Sequence, residues 1–250
     1  MKVSIITAAY NEGATIAETL WSVAEQSYPN IEHIVIDGGS TDNTLSIVQD
    51  SGSKVSMVLS MPDRGLYHAL NRGVCVATGD VILCLNAGDR YVDSGVLARY
   101  VDVFERLGVD AVFGNLYMTD AAHRQQIVRR YRVEGDVCCN LARGLMPPHP
   151  TLAVRRSVHE RIGLYDSSYT VAGDFDFFLR LFCVNDTRYH FLDDYVVYMP
   201  VGGMSNRSWW TAVQNTMEMR RACKQNGVAS SFFQLAGRLP TKLAQSRSTV

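Results

Sequence analysis

The sequence predicts an α/β fold, a mostly parallel Rossmann-like sheet flanked by helices, on three observations. Short apolar runs alternate with stretches of helical period through the first half of the chain. The runs are continuously apolar, as befits strands buried on both faces rather than on one. Each ends in a polar turn, and open sheets of this kind collect ligands outside the carboxyl ends of their strands.

The run from Lys2 to Ala8 is β-branched and too short for a helix, and it ends in the turn-forming Ala9-Tyr10-Asn11-Glu12-Gly13. Thr15 to Gln26 places Ile16, Thr19, Leu20 and Val23 at helical spacing, with Glu12 and Glu18 near the positive end, and Tyr28-Pro29-Asn30 stops the helix. Ile31 to Asp37 is a second buried strand, closed by Gly38-Gly39-Ser40, and Ser40-Thr41-Asp42 caps a helix to about Asp50. Val55 to Leu59 is a third strand, Met61 to Gly65 a loop, and Tyr67 to Thr78 a helix. Gly79-Asp80 then turns into Val81-Ile82-Leu83, a strand that runs into Asn86 and stops by the lone carboxylate of Asp89. This β-α-β-α-β-α-β order means a doubly wound sheet with right-handed crossovers.

The second half is less regular. Ser94 to Leu107 reads as an amphipathic helix, Ala111 to Asn115 as a strand, and Ile127 to Val133 as an exposed ribbon. Met146-Pro147-Pro148-His149-Pro150 is expected to be extended, since the residue before a proline is pushed out of the helical region. Thr151 to Val154 is a strand, Arg156 to Ile162 and Gly173 to Phe182 are helices, a last strand lies within Tyr189 to Met199, and Trp209 to Gln225 is helical. The expected division is one domain over residues 1–205, with a regular half to about 115 and an irregular half from 116, followed by a helical extension over 206–250.

Composition narrows the function. A hydrophobic fraction of 47% with 20% charged residues is that of an ordinary folded protein of 250 residues, long enough for a full core. A net charge of −1 argues against nucleic acid as a partner, which needs a basic excess. Met1-Lys2-Val3-Ser4 leads straight into a strand, so no secretory leader is expected, and no apolar run approaches the ~18 residues of a membrane span. The six cysteines lack CxxC spacing and read as reduced thiols.

Several positions carry chemistry, each with a plainer alternative. Tyr10 and Asp37 lie past the ends of adjacent strands, where a ring can stack on a nucleobase and a carboxylate can accept from a base N–H; Asp37 can equally close a turn. The Pro62-Asp63-Arg64-Gly65 loop entering a helix can present N–H groups and a cation to a diphosphate, or be a surface turn. Asp174 opens a helix after Val171-Ala172-Gly173, where an aspartate caps the first turn, and Asp176 is solvated or paired with Arg180. His149 is a ligand contact or a hydrogen-bonded loop residue. His33, His68, His123, His159 and His190 show no metal spacing. Arg129-Arg130-Tyr131-Arg132 and Trp209-Trp210 fit an anionic lipid surface or a solvated edge and a packed pair.

Six stretches, in order, resemble the family-2 glycosyltransferases of GT-A fold, and among them bacterial polysaccharide and glycolipid enzymes. They are Val3 to Glu12, Ile36 to Asp42, Pro62 to Asn71, Ala77 to Asp80, Leu85 to Asp89 and Gly173 to Arg180. The resemblance implies an inverting transferase, moving a sugar from a nucleotide donor, UDP-linked by expectation, to a hydroxyl of a glycan or lipid-linked acceptor in cell-surface synthesis. It implies donor contacts at Ala8, Tyr10, Glu12, Asp37, Asp63, Asn71 and Asp89, the general base at Asp174, an acceptor or diphosphate contact at His149, and a mobile loop at Gly202-Gly203-Met204-Ser205. It also implies Mg²⁺ or Mn²⁺ held through Asp89, and makes the half to about 115 the donor-binding half and the half from 116 the acceptor side. The chain departs from the family at Gly88, where a second carboxylate is usual. Mg²⁺ is often held by one or two carboxylates with substrate phosphates, so a metal is still expected. A cytoplasmic protein in peripheral contact with the inner face of the plasma membrane follows from a lipid-linked acceptor. Rival readings are an inactive nucleotide-sugar-binding homologue, which Gly88 favours, and a nucleotidyltransferase, which would want a basic glycine-rich loop after the first strand.

Overall fold

The computed structural model describes residues 1–51, 54–132, 135–185, 187–202, 209–231 and 234–235. The first half follows the expected alternation: β1 (Val3–Ala9), α1 (Ile16–Ala24), β2 (Ile31–Asp37), α2 (Thr44–Asp50), β3 (Met57–Ser60), α3 (Leu66–Val76) and β4 (Val81–Cys84). A two-residue strand, β5 (Arg90–Tyr91), precedes α4 (Val96–Leu107). Then come β6 (Ala111–Thr119), β7 (Ile127–Tyr131), α5 (Val137–Ala142), β8 (Ala153–Arg155), α6 (Arg156–Ile162), α7 (Gly173–Phe178), β9 (Tyr189–Pro200) and α8 (Trp209–Gln225).

The described strands join in one sheet ordered β3-β2-β1-β4-β8-β6-β9-β5, with β7 added on β6. β1 to β4 are parallel to one another, as the crossovers require. β8 enters antiparallel between β4 and β6, while β6 and β9 are parallel. The sheet is therefore parallel where the sequence alternates and mixed beyond it, and its parallel strands all end on one rim.

Neighbouring strand residues alternate between the two faces of the sheet, as the period of a strand demands, and Val35 packs with Ile16, Leu20 and Val48 in a smaller cluster. Ile6, Ile34, Ile36 and Ile82 face α3 and the aromatic residues Phe175, Phe177 and Phe178, whereas Ile5, Leu83, Val112 and Val197 face Tyr100 and Phe104 of α4.

Four local expectations need correction. β6 is nine residues long rather than ending at Asn115, because β9 continues beside it to Pro200 with register shifts near Asn115. The helix from Gly173 changes to π-type turns over Leu179–Val184, so its α-helical part is shorter than the sequence implies. The proline-flanked His149–Thr151 is a 3₁₀ turn; Pro150 takes a position in its first turn, where no N–H is required. α5 carries no amphipathic signal long enough to see; Asp136 caps it by accepting from the Cys139 N–H at 2.7 Å. Gly203, Met204, Ser205 and the side chain of Trp209 lie outside the described residues, as does the expected boundary at 205.

Candidate active site

The rim is built from what each strand does at its carboxyl end. β4 stays attached to β1 beyond its last paired residue: the Leu85 N–H donates to the Ile6 carbonyl at 2.9 Å and the Ala87 N–H to the Ala8 carbonyl at 3.1 Å. This lays Asn86 to Asp89 across the edge of the sheet. The Thr19 hydroxyl fastens it from α1, accepting from the Gly88 N–H at 2.9 Å and donating to the Asp89 carbonyl at 2.7 Å.

Asp89 ends up 7% exposed. Among the described residues no N–H or O–H donates to its carboxylate. Burial lifts its pKa to about 8, eased by the positive charge of Arg124 and raised further by Glu12. Arg124 comes from the β6–β7 connection, donates to the Gly88 carbonyl and pairs with Glu18 at 2.9 Å. Sequence reasoning passed over Arg124, whose position depends on a hairpin folding back onto the rim.

Gly88 has φ of +98°, a backbone region that side chains rarely adopt, although its nearest neighbours stand 3.8 Å from where a Cβ would be. The missing family carboxylate thus coincides with a backbone shape that disfavours one. Gly88→Asp is expected to cost about 1–2 kcal/mol of strain, a fall in Tm of about 2–8 °C for a chain of this size. Calorimetric unfolding checks this, and an unchanged Tm would show that the turn relaxes freely.

The second acid lies at the start of α7. The Asp174 carboxylate accepts from the Phe175 N–H at 2.8 Å and from the Tyr67 hydroxyl at 3.2 Å. Burial raises its pKa, opposed by His149, the Phe175 N–H and the Tyr67 hydroxyl. His149 is buried and pushed down in pKa, so it is a neutral imidazole at pH 7. Its Nε2 pairs with the Tyr165 hydroxyl at 2.9 Å, and that hydroxyl reaches Cys84 Sγ at 3.8 Å. The rings of Tyr67 and Tyr165 stack at 6.0 Å. Through Cys84, Tyr165 and His149 the surroundings of Asp174 connect to the end of β4, the strand that leads to Asp89.

The remaining positions divide into exposed and structural. Tyr10 is 62% exposed and its ring covers Gly38, where a Cβ would come within 3.4 Å of it. Asp37 is 0% exposed. Its carboxylate accepts from the N–H groups of Gly39 and Ser40, each at 3.1 Å, and from the Ser60 hydroxyl at 2.6 Å. Burial pushes its pKa up, but these hydrogen bonds outweigh it and the net shift is downward. Glu12 caps α1: its carbonyl accepts from the N–H groups of Thr15 and Ile16 and its carboxylate from the Thr15 hydroxyl. Ala8 is buried at the end of β1. Asn71 exchanges a pair of hydrogen bonds with the backbone of Tyr165, at 2.7 and 2.9 Å, and so holds the loop before Asp174. Asp63 accepts from His68 and Arg72 at 2.8 and 2.9 Å through Oδ1, while its Oδ2 is buried without a partner.

Among the described residues no cluster of three or more His, Cys, Asp or Glu side chains is arranged to hold a metal. One nearly buried carboxylate with no donor still suits a divalent cation whose other ligands are donor phosphates and water. No described helix is long and apolar enough to cross a membrane.

Solved structures share this architecture. Staphylococcus aureus TarS 1–349, crystallised with UDP-GlcNAc, superposes with a TM-score of 0.72 at 19% identity, covering 100% of this chain and 74% of that one. A mannosyltransferase from Pyrobaculum calidifontis, solved with GDP-Man and Mn²⁺, gives 0.66 at 20% identity, covering 100% and 76%. The fold is that of the GT-A glycosyltransferases. Residues 4–163 match the model of Glycosyl transferase family 2, and the chain belongs to that family. Its relatives include a PGL/p-HBAD biosynthesis glycosyltransferase of Mycobacterium bovis BCG, 31% identical over 81% of this chain and 78% of that protein. An uncharacterized glycosyltransferase of Mycobacterium tuberculosis is 32% identical over 71% of this chain and 68% of its own length.

Proposed function

We propose that the protein is an inverting glycosyltransferase that moves one sugar from a UDP-linked donor to a hydroxyl of a glycan or lipid-linked acceptor in cell-envelope synthesis. The observation that carries this is a pair of differently prepared acids whose surroundings are linked through Cys84, Tyr165 and His149: Asp89, buried and without a donor, and Asp174, half-buried beside the Tyr67 hydroxyl and near His149. Asp174 takes the proton from the acceptor hydroxyl. The acceptor oxygen forms a bond to the anomeric carbon from the face opposite the nucleotide, the bond from that carbon to the phosphate oxygen breaks, and its electron pair leaves on UDP. Asp89, with the donor phosphates, would hold Mg²⁺ or Mn²⁺, which when bound supplies positive charge to the leaving diphosphate.

Tyr10 stacks on the base. Asp37, Glu12, Ala8 and Asn71 serve the donor by fixing the backbone around it, because their polar groups are already engaged or they are buried apolar residues. The free oxygen of Asp63 is suited to a hydroxyl of the donor. His149, as a neutral imidazole, holds the Tyr165 hydroxyl near Asp174 and so serves the acceptor side indirectly. Arg130 and Arg132 on the β7 side, with Trp210 at 66% exposure, supply the basic and aromatic character that contact with anionic lipid at the inner face of the plasma membrane requires.

A thermal-shift screen against UDP-, GDP- and dTDP-sugars, with and without Mn²⁺, tests the donor. A ligand confined to the native state must raise Tm. The expected result is a rise with one UDP-sugar, larger with Mn²⁺, and UDP release from that donor when an acceptor is supplied. Stabilisation by GDP-sugars alone overturns the UDP assignment. Binding without any release on a broad acceptor panel favours the inactive homologue that Gly88 allows.

A further inference from the structure

The loop that delivers Asp174 is held by a residue far beyond the matched family segment. The Glu218 carboxylate, on α8, accepts from three successive N–H groups: Thr170 at 3.2 Å, Val171 at 2.8 Å and Ala172 at 2.9 Å. Its other oxygen accepts from the side chain of Gln214 at 3.0 Å, one turn back on the same helix. Ionised acceptors make the stronger hydrogen bonds, and a carboxylate that gathers consecutive N–H groups fixes the backbone that carries them.

The same peptide is gripped from the opposite side. The Val171 carbonyl accepts from the Tyr67 hydroxyl at 2.6 Å, and Tyr67 also reaches Asp174. Between these grips lies Gly173, where a Cβ would fall 2.7 Å from the Tyr67 ring, so the chain passes against the ring with no room to shift toward it. Elsewhere α8 touches the stretch before Asp174 differently. Arg221 donates to the Ser168 hydroxyl at 2.6 Å and stacks over Tyr169 at 4.5 Å, contacts that hold the helix but not the peptides next to Gly173.

We propose that Glu218 is the positioning residue for Asp174, so that α8 is part of the catalytic apparatus rather than an appended extension; this rests on reading Asp174 as the base. A carboxylate offers each N–H an acceptor that no hydrophobic or cationic side chain at this place could replace. Without it the three N–H groups turn to water, and the loop gains freedom along the line that sets the base against the acceptor oxygen. Placement errors of about 1 Å at a reacting group cost up to a hundredfold in rate.

The test compares Glu218→Ala, Glu218→Gln, Arg221→Ala and Asp174→Asn in the full chain, with UDP as binding probe and the donor found in the screen for turnover. Glu218→Ala is expected to lower kcat about ten- to a hundredfold with UDP affinity unchanged. Glu218→Gln, which keeps an acceptor oxygen and serves if the alanine variant does not fold, should fall between it and the parent. Arg221→Ala should lose comparable Tm but keep kcat. Hydrogen exchange at residues 170–172 in the UDP complex should quicken in Glu218→Ala and not in Arg221→Ala. If Glu218→Ala matches Arg221→Ala in kcat and exchange, Glu218 is only a fastener and the proposal is overturned alone. Near-normal turnover by Asp174→Asn overturns the base reading and this inference together.

Discussion

Asparagine in place of Asp174 is expected to remove about 10²–10⁴ of the turnover, the usual contribution of a positioned general base, while UDP binds as before. The amide preserves shape and can still accept from the Phe175 N–H and the Tyr67 hydroxyl, so the loop should keep its place. What it lacks is an oxygen basic enough to take the acceptor proton. Turnover measured as UDP release, beside calorimetric titration with UDP, separates the two effects. The pH dependence gives the same residue a second test. A base works only when ionised, and burial raises the pKa of Asp174 above its ordinary 3.8. Measured at saturating Mn²⁺, so that the bound cation keeps Asp89 ionised despite its pKa of about 8 in the empty site, activity should therefore be lost on acidification at a higher pH than an exposed aspartate would require. An acid limb in the ordinary aspartate range, or turnover by Asp174→Asn near that of the parent, would defeat the assignment.

Much of this arrangement was legible in the residues because the first half is governed by local rules. Apolar runs such as Ile34-Val35-Ile36 can only be buried strands, and parallel pairing brings their ends to one rim. The site acids were visible as carboxylates at those ends and at a helix start. The roles of individual neighbours were not visible, because they depend on contacts between distant segments. Asn71 reads as a polar residue on a helix, yet both ends of its amide are taken by Tyr165. Asp37 reads as a ligand contact or a turn, and only burial together with Ser60 on the next strand shows how completely its carboxylate is engaged. Tyr165, Arg124 and Glu218 lie in stretches with no motif, and their importance comes from where the α6–α7 segment, the β6–β7 connection and α8 fold against the site residues. The π-type turns after α7 and the 3₁₀ turn at His149 lie where the Phe113, Phe178, Phe182 and His149 rings pack together, contacts between distant segments that no local pattern displays.

Asp89 sets the largest effect expected of a single charge at the donor. One carboxylate facing a cation at about 4 Å is worth roughly 4 kcal/mol at an effective dielectric of about 20, close to three orders of magnitude at about 1.4 kcal/mol for each tenfold. Where the family usually has two acids, this chain has one, and Gly88 at φ of +98° explains why the second is not easily regained. On the proposed role, Asp89 is the carboxylate that meets the cation. Asp89→Asn should raise the Mn²⁺ or Mg²⁺ concentration needed for half-maximal turnover by about 10²–10³, with little effect on folding, since no described donor loses a partner. Tm of the metal-free protein at neutral pH should stay close to that of the parent, because burial already keeps the Asp89 carboxyl largely protonated there, with a pKa of about 8. The parent should lose turnover in excess EDTA and regain it with added Mn²⁺. Full activity in EDTA would remove the metal from the reaction, and Arg124, whose charge already bears on Asp89, would then be the nearest fixed cation to the leaving group. An Asp89→Asn metal dependence identical to that of the parent would place the cation elsewhere and leave the burial of Asp89 without a catalytic purpose.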